Sequence, residues 1–463
     1  MVDSTALSSV RIRLDALLAS RRSRADLAAT RDRRLGRHLA FVTRQSRFYR
    51  RHYAEIDRPT HAFEALPPVT KPTLMAKFDD VVTDTAVTAA AIADFRADAD
   101  NVGRRFLGRY PVWTTSGTTG EPGVFLQDWR SLAVNDAVGD RWNLAALLNV
   151  RSVRRLVGQD ARLALIAVTG GHYAGAAGIA MYQRENRFLR DRARVFSPAR
   201  PLGELVDALN AFQPAFVSGY ATVLVELARE QREGRLQLSP AIVVPTAEPI
   251  TAAEKATLRR SFDCTVRELY GATECYAMAV ECAHGNLHAN TDWVVLEPVD
   301  ADYRPVEPGT PGDTVLLTNL ANRIQPLVRY DLGDRVTLHE RPCSCGSPFP
   351  TIDVAGRQGD VLRFETAGGE SVPVFPLAVS SVVQSVPGVD RSQVVQTGPA
   401  ALEVRFDLAD AADADATWTA VERDLLEFLG ELGVDEVTVE RGDAPPARDP
   451  HSGKFRHVWS EVG

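Results

Sequence analysis

The chain has 463 residues, of which 45% are hydrophobic and 24% charged, and its formal net charge is −7. This length exceeds that of a single ordinary hydrophobic core and indicates two or more domains. The small negative charge gives no reason to expect nucleic acid or an anionic membrane as a partner, and no apolar stretch is long enough to span a bilayer. The five sparse cysteines argue against a disulfide scaffold, and without a signal-peptide pattern at the start of the sequence we expect a cytoplasmic protein.

The first third of the chain leads to a loop rich in glycine and hydroxyl groups. Residues 4–53 are predicted to be helical because leucines recur at spacings of three and four. Short strands predicted at 109–113 and 124–126 flank the sequence Thr-Thr-Ser-Gly-Thr-Thr-Gly-Glu-Pro-Gly at 114–123. Such a loop suits phosphate binding, because glycine lets the backbone approach a ligand and successive N–H groups attract anions. A surface turn is the alternative, and an ordinary P-loop is excluded because no Lys-Ser or Lys-Thr follows the last glycine.

From residue 160 to 275 the pattern alternates between strand and helix. Strands are predicted at 163–168, 215–217, 241–244 and 265–270, with helices at 202–209, 223–230 and 251–260. This alternation indicates parallel βαβ units and a sheet covered by helices. Binding sites on such sheets lie at the carboxyl ends of the strands, where Gly170, Gly171, Tyr220 and Gly271 fall.

The last third changes to shorter elements. Strands are predicted at 293–296, 314–317 and 336–338, which indicates a small antiparallel sheet or barrel. Beyond residue 356 we expect a hairpin around Gly368-Gly369, strands near 394 and 404, a helix at 417–432 and a strand at 437–439. The predicted fold class is therefore α/β. An N-terminal domain of residues 1–356 holds parallel sheets and a small antiparallel subdomain, and residues 357–463 form a small α+β domain.

Two further segments place carboxylates at strand ends. Tyr270-Gly271-Ala272-Thr273-Glu274 offers a hydroxyl for phosphate and a carboxylate for Mg²⁺, although a strand end with a helix-capping threonine is the simpler alternative. The segment 329–334 ends in Asp334, whose carboxylate suits the two hydroxyls of a ribose. An ordinary Asx turn is the alternative there.

Five segments in order resemble the motifs of the adenylate-forming superfamily, and in particular its phenylacetate–CoA ligase branch. They are the 114–123 loop, Tyr270–Glu274, 329–334, 356–360 and 451–456. The resemblance implies a mobile C-terminal domain that rotates about the 356–360 hinge, where this chain has Gly359 in place of the usual Asp or Lys. It also implies nucleotide-binding residues, namely Thr115, Ser116, Gly117, Thr118, Thr119, Gly120, Glu248, Tyr270, Gly271, Asp334 and Arg357.

The resemblance further implies the catalytic groups and the reaction. Lys454 offsets charge in the transition state, Thr273 contacts phosphate and Glu274 binds magnesium. The charge of Lys454 matters more than usual, because Gly123 stands where the phosphate loop of the superfamily usually has a lysine. The phenylacetate–CoA ligase branch also lacks that lysine. The implied reaction joins a carboxylic acid to ATP as an acyl-adenylate, releases pyrophosphate, and transfers the acyl group to CoA with release of AMP.

Two alternatives stay open beside this reaction. The first keeps adenylation but uses an amine, a hydroxyl or nitrite in place of CoA. The second is a nucleotide-binding protein without catalysis. The expected cofactors and ligands are ATP, Mg²⁺, CoA and structural Zn²⁺, and a homodimer is expected as an alternative to the single chain.

Residues for the acyl group are predicted from their places at strand ends. They are Gly170, Gly171, His172, Tyr220 and Tyr276. Small glycines beside aromatic rings suit a flat aromatic acid, and ordinary core packing is the alternative.

Three cysteines and a histidine form a separate group. Cys282 and His288 are six residues apart, and Cys343 and Cys345 follow about 55 residues later. Three thiolates and an imidazole suit tetrahedral structural Zn²⁺, with free buried cysteines as the alternative and His284 as a competing ligand. Zinc-bearing members of the phenylacetate–CoA ligase branch have similar elements.

Overall fold

The computed structural model describes residues 4–56, 63–115, 123–355, 361–366, 370–409, 412–447 and 456–462. The chain divides into two compact units. The first contains Met1–Trp113, Val124–Asn149 and Arg267–Gly356, and the second contains Thr114–Gly123, Val150–Val266 and Arg357–Gly463. The predicted division at residues 356 and 357 stays a prediction.

The first unit begins with the predicted helical region, which is broken twice. Its helices span Ser4–Ala19, Arg24–Gln45 and Arg47–His52. Ser23 and Ser46 start the second and third helices, because their side chains accept the backbone N–H groups of Asp26 and Tyr49. Further helices span Lys71–Ala76, Phe78–Val81, Ala89–Ala97 and Trp129–Leu147, with short 3₁₀ turns at Phe63–Ala65 and Ala99–Asn101.

In the first unit, two groups of strands pair antiparallel. One contains Leu269–Tyr270, Ala279–Glu281, Leu287–Ala289, Thr351–Ala355 and Arg335–His339 in that order. A second contains Val294–Val299, Thr314–Asn319 and Tyr330–Asp331. The strand predicted at 336–338 thus lies in the first of these sheets and not beside 314–317, because Val336 pairs with Val354. A third small sheet contains Arg105–Phe106, Tyr110–Thr114 and Val124–Leu126.

The second unit contains the predicted parallel strands and their helices. Its strands follow the order Ala193–Phe196, Leu163–Ile166, Phe216–Tyr220, Ile242–Thr246 and Thr265–Val266. The helices span Val150–Gly158, Ala174–Glu185, Leu202–Phe212, Ala221–Arg232 and Ala252–Phe262. The predicted capping box of the last helix is confirmed, since Thr251 and Glu254 exchange side-chain and backbone hydrogen bonds.

The single strand predicted at 265–270 is two strands, Thr265–Val266 and Leu269–Tyr270. Between them, the Glu268 N–H donates to the Glu281 side chain at 2.8 Å instead of to a strand. A side-chain acceptor therefore takes the Glu268 N–H at this point, while the Glu268 carbonyl still accepts the Glu281 backbone N–H at 2.9 Å.

The C-terminal part of the second unit is α+β, as predicted. The hairpin pairs Leu362–Glu365 with Ser371–Val374, while the predicted turn at Gly368-Gly369 lies outside the described residues. A mixed sheet has the order Thr438–Arg441, Ala401–Leu408, Val389–Gly398 and Val458–Ser460, with helices at Pro376–Ser385 and Ala414–Glu431. Among the described helices, none has the length and apolar character needed to cross a membrane.

Candidate active site and metal-ligand cluster

The two ends of the hydroxyl-rich loop are tied together. The Thr115 N–H donates to the Gly123 carbonyl at 3.0 Å, and the Gly123 N–H donates to the Thr115 hydroxyl at 2.9 Å. One residue earlier, the Thr114 N–H donates to the His172 carbonyl at 2.8 Å, which joins the loop base to a predicted acyl-site segment. The predicted phosphate contacts Ser116, Gly117, Thr118, Thr119 and Gly120 lie outside the described residues.

The segment after Tyr270 makes a tight turn that requires glycine. A Cβ atom on Gly271 would lie 1.7 Å from the Tyr276 carbonyl oxygen. Ala272 and Cys275 close the turn with reciprocal backbone hydrogen bonds at 3.0 and 3.1 Å. Thr273 and Glu274 therefore occupy the tip of a turn whose backbone is fixed from both sides.

Glu274 is a buried carboxylate with a tyrosine donor. It is 7% exposed, and the Tyr330 hydroxyl donates to its Oε1 at 3.0 Å. Burial raises the pKa of Glu274, while its own backbone N–H, the Lys71 charge and the Tyr330 hydroxyl oppose that rise. An isolated carboxylate is costly to bury, so this position suits a group that receives a cation.

Asp334 lies on a second turn of the same unit. The Tyr270 hydroxyl donates to Asp334 Oδ2 at 2.9 Å. Gly333 has a φ of 77°, a left-handed conformation that glycine adopts without strain. The predicted nucleotide residues Tyr270 and Asp334 are thus brought together.

Glu248 belongs to the second unit, where it contacts the start of a helix. The backbone N–H and the hydroxyl of Thr222 both donate to Glu248 Oε2, at 2.9 and 2.8 Å. The other oxygen, Oε1, is shielded from solvent and has no hydrogen-bond partner among the described residues. Burial raises the pKa of Glu248 to about 7.

Four of the predicted acyl-site residues lie at the carboxyl ends of neighbouring parallel strands. Gly170, Gly171 and His172 follow Leu163–Ile166, and Tyr220 ends the adjacent strand Phe216–Tyr220. The Tyr220 hydroxyl accepts the Val168 N–H at 3.1 Å, and burial raises its pKa to about 12, so the side chain is neutral near pH 7. Tyr276 belongs to the first unit and is 42% exposed.

The predicted hinge residue Arg357 and the predicted catalytic Lys454 lie outside the described residues. Both assignments stay predictions.

The predicted metal ligands come together in the first unit. The ligand atoms of Cys282, His288, Cys343 and Cys345 all lie within 4.8 Å of one another. The turn between Ala279–Glu281 and Leu287–Ala289 carries Cys282, and a turn closed from the Gly346 N–H to the Cys343 carbonyl supplies the other thiols. Two segments more than 50 positions apart in sequence therefore supply the ligands of one cluster.

Hydrogen bonds orient the ligands of this cluster. His288 Nδ1 lies 2.8 Å from the Phe349 carbonyl oxygen, which only accepts, so Nδ1 carries the proton and the Nε2 lone pair faces Cys345 Sγ at 3.3 Å. Burial also lowers the pKa of His288, which favours the neutral ring. The backbone N–H groups of His284 and Ser347 donate to the sulfurs of Cys282 and Cys345, both at 3.4 Å.

His284 is not part of the ligand set. Its Nδ1 instead lies 3.0 Å from the Ser344 hydroxyl. The donor set of three thiols and one neutral imidazole fits Zn²⁺.

Comparison with known proteins gives partial relatives in sequence. No family model matches the chain. Protein CapK of Staphylococcus aureus is 29% identical over 167 residues, which make up 35% of this chain and 36% of that protein. Phenylacetate-coenzyme A ligase of Thermus thermophilus is 28% identical over 190 residues, which make up 39% of this chain and 41% of the relative. The aligned stretches thus span less than half the length of these curated relatives.

Solved structures resemble nearly the whole chain. A 2-hydroxyisobutyryl-CoA ligase in complex with 2-HIB-AMP and CoA, in the thioesterification state, has a TM-score of 0.56 at 21% identity, over 95% of this chain and 91% of that one. The same ligase in the postadenylation state with 2-HIB-AMP has a TM-score of 0.52 at 20% identity, over 93% and 89%. This chain has the adenylate-forming ligase fold. The predicted fold class and the resemblance to the phenylacetate–CoA ligase branch are therefore confirmed.

Within this adenylate-forming fold, sequence reasoning missed several polar partners of the candidate site. Tyr330, the donor to Glu274, lies inside the 329–334 segment, for which the sequence predicts a role for Asp334 alone. A tyrosine within a site motif is itself a signal that could have found it. Thr222, which binds Glu248, had no such signal because nothing in the sequence relates positions 26 residues apart.

Proposed function

We propose that this chain is an ATP-dependent acid–thiol ligase, which activates a carboxylic acid as an acyl-adenylate and transfers the acyl group to CoA. The observation that carries the proposal is the pair of tyrosine–carboxylate contacts, Tyr330 with Glu274 and Tyr270 with Asp334. These contacts hold the buried Glu274 carboxylate on the segment that resembles the family's magnesium motif. They also hold the Asp334 carboxylate on the segment that resembles its ribose motif. The phenylacetate-coenzyme A ligase relative and the solved ligase with 2-HIB-AMP and CoA support the same activity.

ATP is proposed to bind along these segments. The 114–123 loop and Thr273 would hold the phosphates. Asp334 would bind the ribose hydroxyls, and Glu248 would lie beside the adenine. Arg357 and the backbone at Gly271 would complete the nucleotide contacts. The hydrogen bonds between Thr115 and Gly123 hold the two ends of this loop together, which supports its proposed role in phosphate binding.

Magnesium fits the environment of Glu274. Its carboxylate is buried and is oriented by the Tyr330 hydroxyl, and the neighbouring Lys71 charge already favours its ionised form, which is the form that binds a cation. Bound there, Mg²⁺ would offset negative charge on the phosphates of ATP.

The first half-reaction is proposed to be adenylation. A carboxylate oxygen of the acid attacks the α-phosphorus of ATP, an O–P bond forms, and the bond to the bridging oxygen breaks as pyrophosphate leaves. The donors of the 114–123 loop and the Lys454 ammonium would stabilise the charge that develops on the α-phosphate. Lys454 has this role because Gly123 leaves the loop without a lysine.

The second half-reaction is proposed to form the thioester. The CoA sulfur attacks the acyl carbon, a C–S bond forms, the C–O bond to AMP breaks, and the thiol proton is released. Residues 357–463 would rotate as a mobile domain between the two steps, with the 356–360 segment as the hinge. Gly359 suits a hinge because glycine accepts large changes of φ and ψ.

The acid is proposed to be aromatic. Tyr220 and the Gly170–His172 segment lie at adjacent strand ends, and the small glycines leave room beside an aromatic ring. Because Tyr220 is uncharged near neutral pH, its side chain neither attracts nor repels the carboxylate of the acid. Tyr276 is proposed as a further contact.

Zinc is proposed as a structural ion held by Cys282, His288, Cys343 and Cys345. The close approach of all four ligand atoms and the Nδ1 contact with Phe349 support it. Bound Zn²⁺ would cross-link two turns of the first unit without taking part in the reaction.

A panel of carboxylic acids tests the proposal. The purified protein is incubated with ATP, Mg²⁺ and each acid, with and without CoA, and products are identified by mass spectrometry. The account predicts AMP, pyrophosphate and an acyl-CoA for at least one aromatic acid. Adenylate formation with transfer only to an amine, a hydroxyl or nitrite would favour the non-CoA alternative, and ATP binding without pyrophosphate release would favour the non-catalytic one.

Location and assembly complete the proposal. The cytoplasmic location stays a prediction, and the five cysteines are free thiols in the described residues. The homodimer stays a prediction, which size-exclusion chromatography with light scattering tests.

A further inference from the structure

Tyr303 has a backbone conformation that tyrosine rarely adopts. Its φ is 62°, in the left-handed region where a bulky side chain is disfavoured. The surrounding turn imposes this conformation, because the N–H groups of Asp302 and Arg304 both donate to Asp300 Oδ1 at 2.9 Å. Strain of this kind persists where neighbouring contacts over-determine the backbone, and it often marks a functional segment.

The strained conformation directs the Tyr303 hydroxyl to a carboxylate. The hydroxyl donates to Asp331 Oδ2 at 2.8 Å. The other oxygen, Oδ1, accepts the Thr314 hydroxyl at 2.5 Å and the Gly333 N–H at 3.0 Å. Burial and the contact with Asp331 raise the pKa of Tyr303 to about 12, so the hydroxyl keeps its proton and stays a donor near neutral pH.

Asp331 in turn fixes the turn that carries Asp334. The bond from the Gly333 N–H closes an Asx turn, and the same N–H also lies 3.2 Å from the Thr314 hydroxyl. Gly333 itself has a left-handed φ, which glycine adopts without strain. Asp334 is the next residue, and its Oδ2 accepts the Tyr270 hydroxyl at 2.9 Å. The Asp334 carboxylate is therefore held from two directions, by Tyr270 directly and by Tyr303 through Asp331.

We propose that Tyr303 is a positioning residue for the ribose of the nucleotide. Through Asp331 it holds the 331–334 turn so that Asp334 presents its carboxylate to the ribose hydroxyls. This inference rests on the proposed ATP-dependent activity and adds a residue that lies about 30 positions before the motif.

The test compares ATP with 2′,3′-dideoxy-ATP in Tyr303→Phe and wild-type protein. Loss of the hydroxyl is expected to raise KM for ATP about fivefold to tenfold, to leave KM for the dideoxy analogue unchanged, and to change kcat little. Asp334→Asn is the positive control and should lose most discrimination between the two nucleotides. Tyr110→Phe is the matched control, since the Tyr110 hydroxyl also donates to a carboxylate, that of Asp84, at 2.9 Å.

A second variant guards against a folding defect. Asp331→Asn leaves Tyr303 in place but weakens the acceptor, and it is expected to reduce the preference for ATP in the same way. An equal rise of KM for both nucleotides in Tyr303→Phe, or no rise for either, overturns the positioning role. Failure of the wild-type protein to distinguish the two nucleotides would instead contradict the ribose role of Asp334 in the proposed function.

Discussion

The Tyr330 hydroxyl donates to Glu274 Oε1 at 3.0 Å, across 56 residues of sequence. Both side chains are buried, with Tyr330 2% exposed and Glu274 7% exposed. The contact joins the segment proposed to bind magnesium to the strand that leads to Asp334. It gives Tyr330 an indirect role, which is to orient the Glu274 carboxylate.

Removing that donor is expected to weaken magnesium binding. In Tyr330→Phe the Glu274 carboxylate loses its orienting partner, and we expect the Mg²⁺ concentration for half-maximal activity to rise about tenfold. The measurement is the pyrophosphate-exchange rate as a function of Mg²⁺ concentration. Tyr49→Phe is the control, because the Tyr49 hydroxyl is equally buried but donates to the Pro326 carbonyl. An unchanged magnesium dependence in Tyr330→Phe contradicts the orienting role.

Gly271 is expected to tolerate no side chain. The Cβ of Gly271→Ala would collide with the Tyr276 carbonyl oxygen, so the turn that carries Thr273 and Glu274 must open. We expect exchange activity to fall about a hundredfold or more. Gly36→Ala, in a helix with nothing within 4 Å of the new Cβ, should keep activity and match or exceed wild-type stability. Equal activity of the two variants would contradict the close approach at Gly271.

The Cys282, His288, Cys343 and Cys345 cluster is expected to hold zinc in the purified protein. Elemental analysis should give about one zinc per chain, and Cys345→Ser should lose it and lower Tm by about 5–10 °C. Cys264→Ser is the control, since Cys264 lies outside the cluster. Wild-type protein that contains no zinc, even after folding in its presence, would contradict the assignment.

Glu248 is expected to make stability depend on pH. Its pKa is raised from 4.5 to about 7, so the folded state binds more protons than the unfolded state between those pH values. Its contribution is therefore complete below pH 4.5 and is lost as pH rises through 7, by about 3 kcal/mol at most. Glu248→Gln keeps an acceptor for Thr222 but does not ionise.

The measurement for Glu248 is Tm from pH 5 to 8. The Tm of Glu248→Gln should rise relative to that of wild type across this range. Glu307→Gln, at an exposed position of the first unit, provides a carboxylate control, because Glu307 is not among the groups that act on the pKa of Glu248. Parallel Tm curves for wild type and Glu248→Gln would show that Glu248 ionises normally.

Local signals in the sequence predicted much of the fold. Alternation of strand and helix identified the parallel sheet, and Thr251 with Glu254 identified a helix start, because both signals depend on residues close in sequence. The break at Arg267-Glu268 was missed because the competing acceptor, Glu281, is 13 residues away. Likewise, the pairing of Val336 with Val354 depends on sheet register, which strand composition does not specify.

The candidate site was predicted to the extent that its residues lie in motifs. Spacing and resemblance named the metal ligands and both site carboxylates, and the structure brings the ligand atoms together. The partners that orient them were not predicted. The Tyr303 hydroxyl donates to Asp331, and the Thr222 hydroxyl donates to Glu248. These contacts form only after segments that are distant in sequence pack together.

The most direct test of the account is carboxylate-dependent exchange of labelled pyrophosphate into ATP, measured in wild type, Lys454→Ala and Glu274→Ala. Lys77→Ala is the control for loss of an exposed lysine. The account predicts acid-dependent exchange in wild type and Lys77→Ala, and a fall of about a hundredfold or more in the other two variants. Exchange at the wild-type rate in both Lys454→Ala and Glu274→Ala would contradict the proposed site.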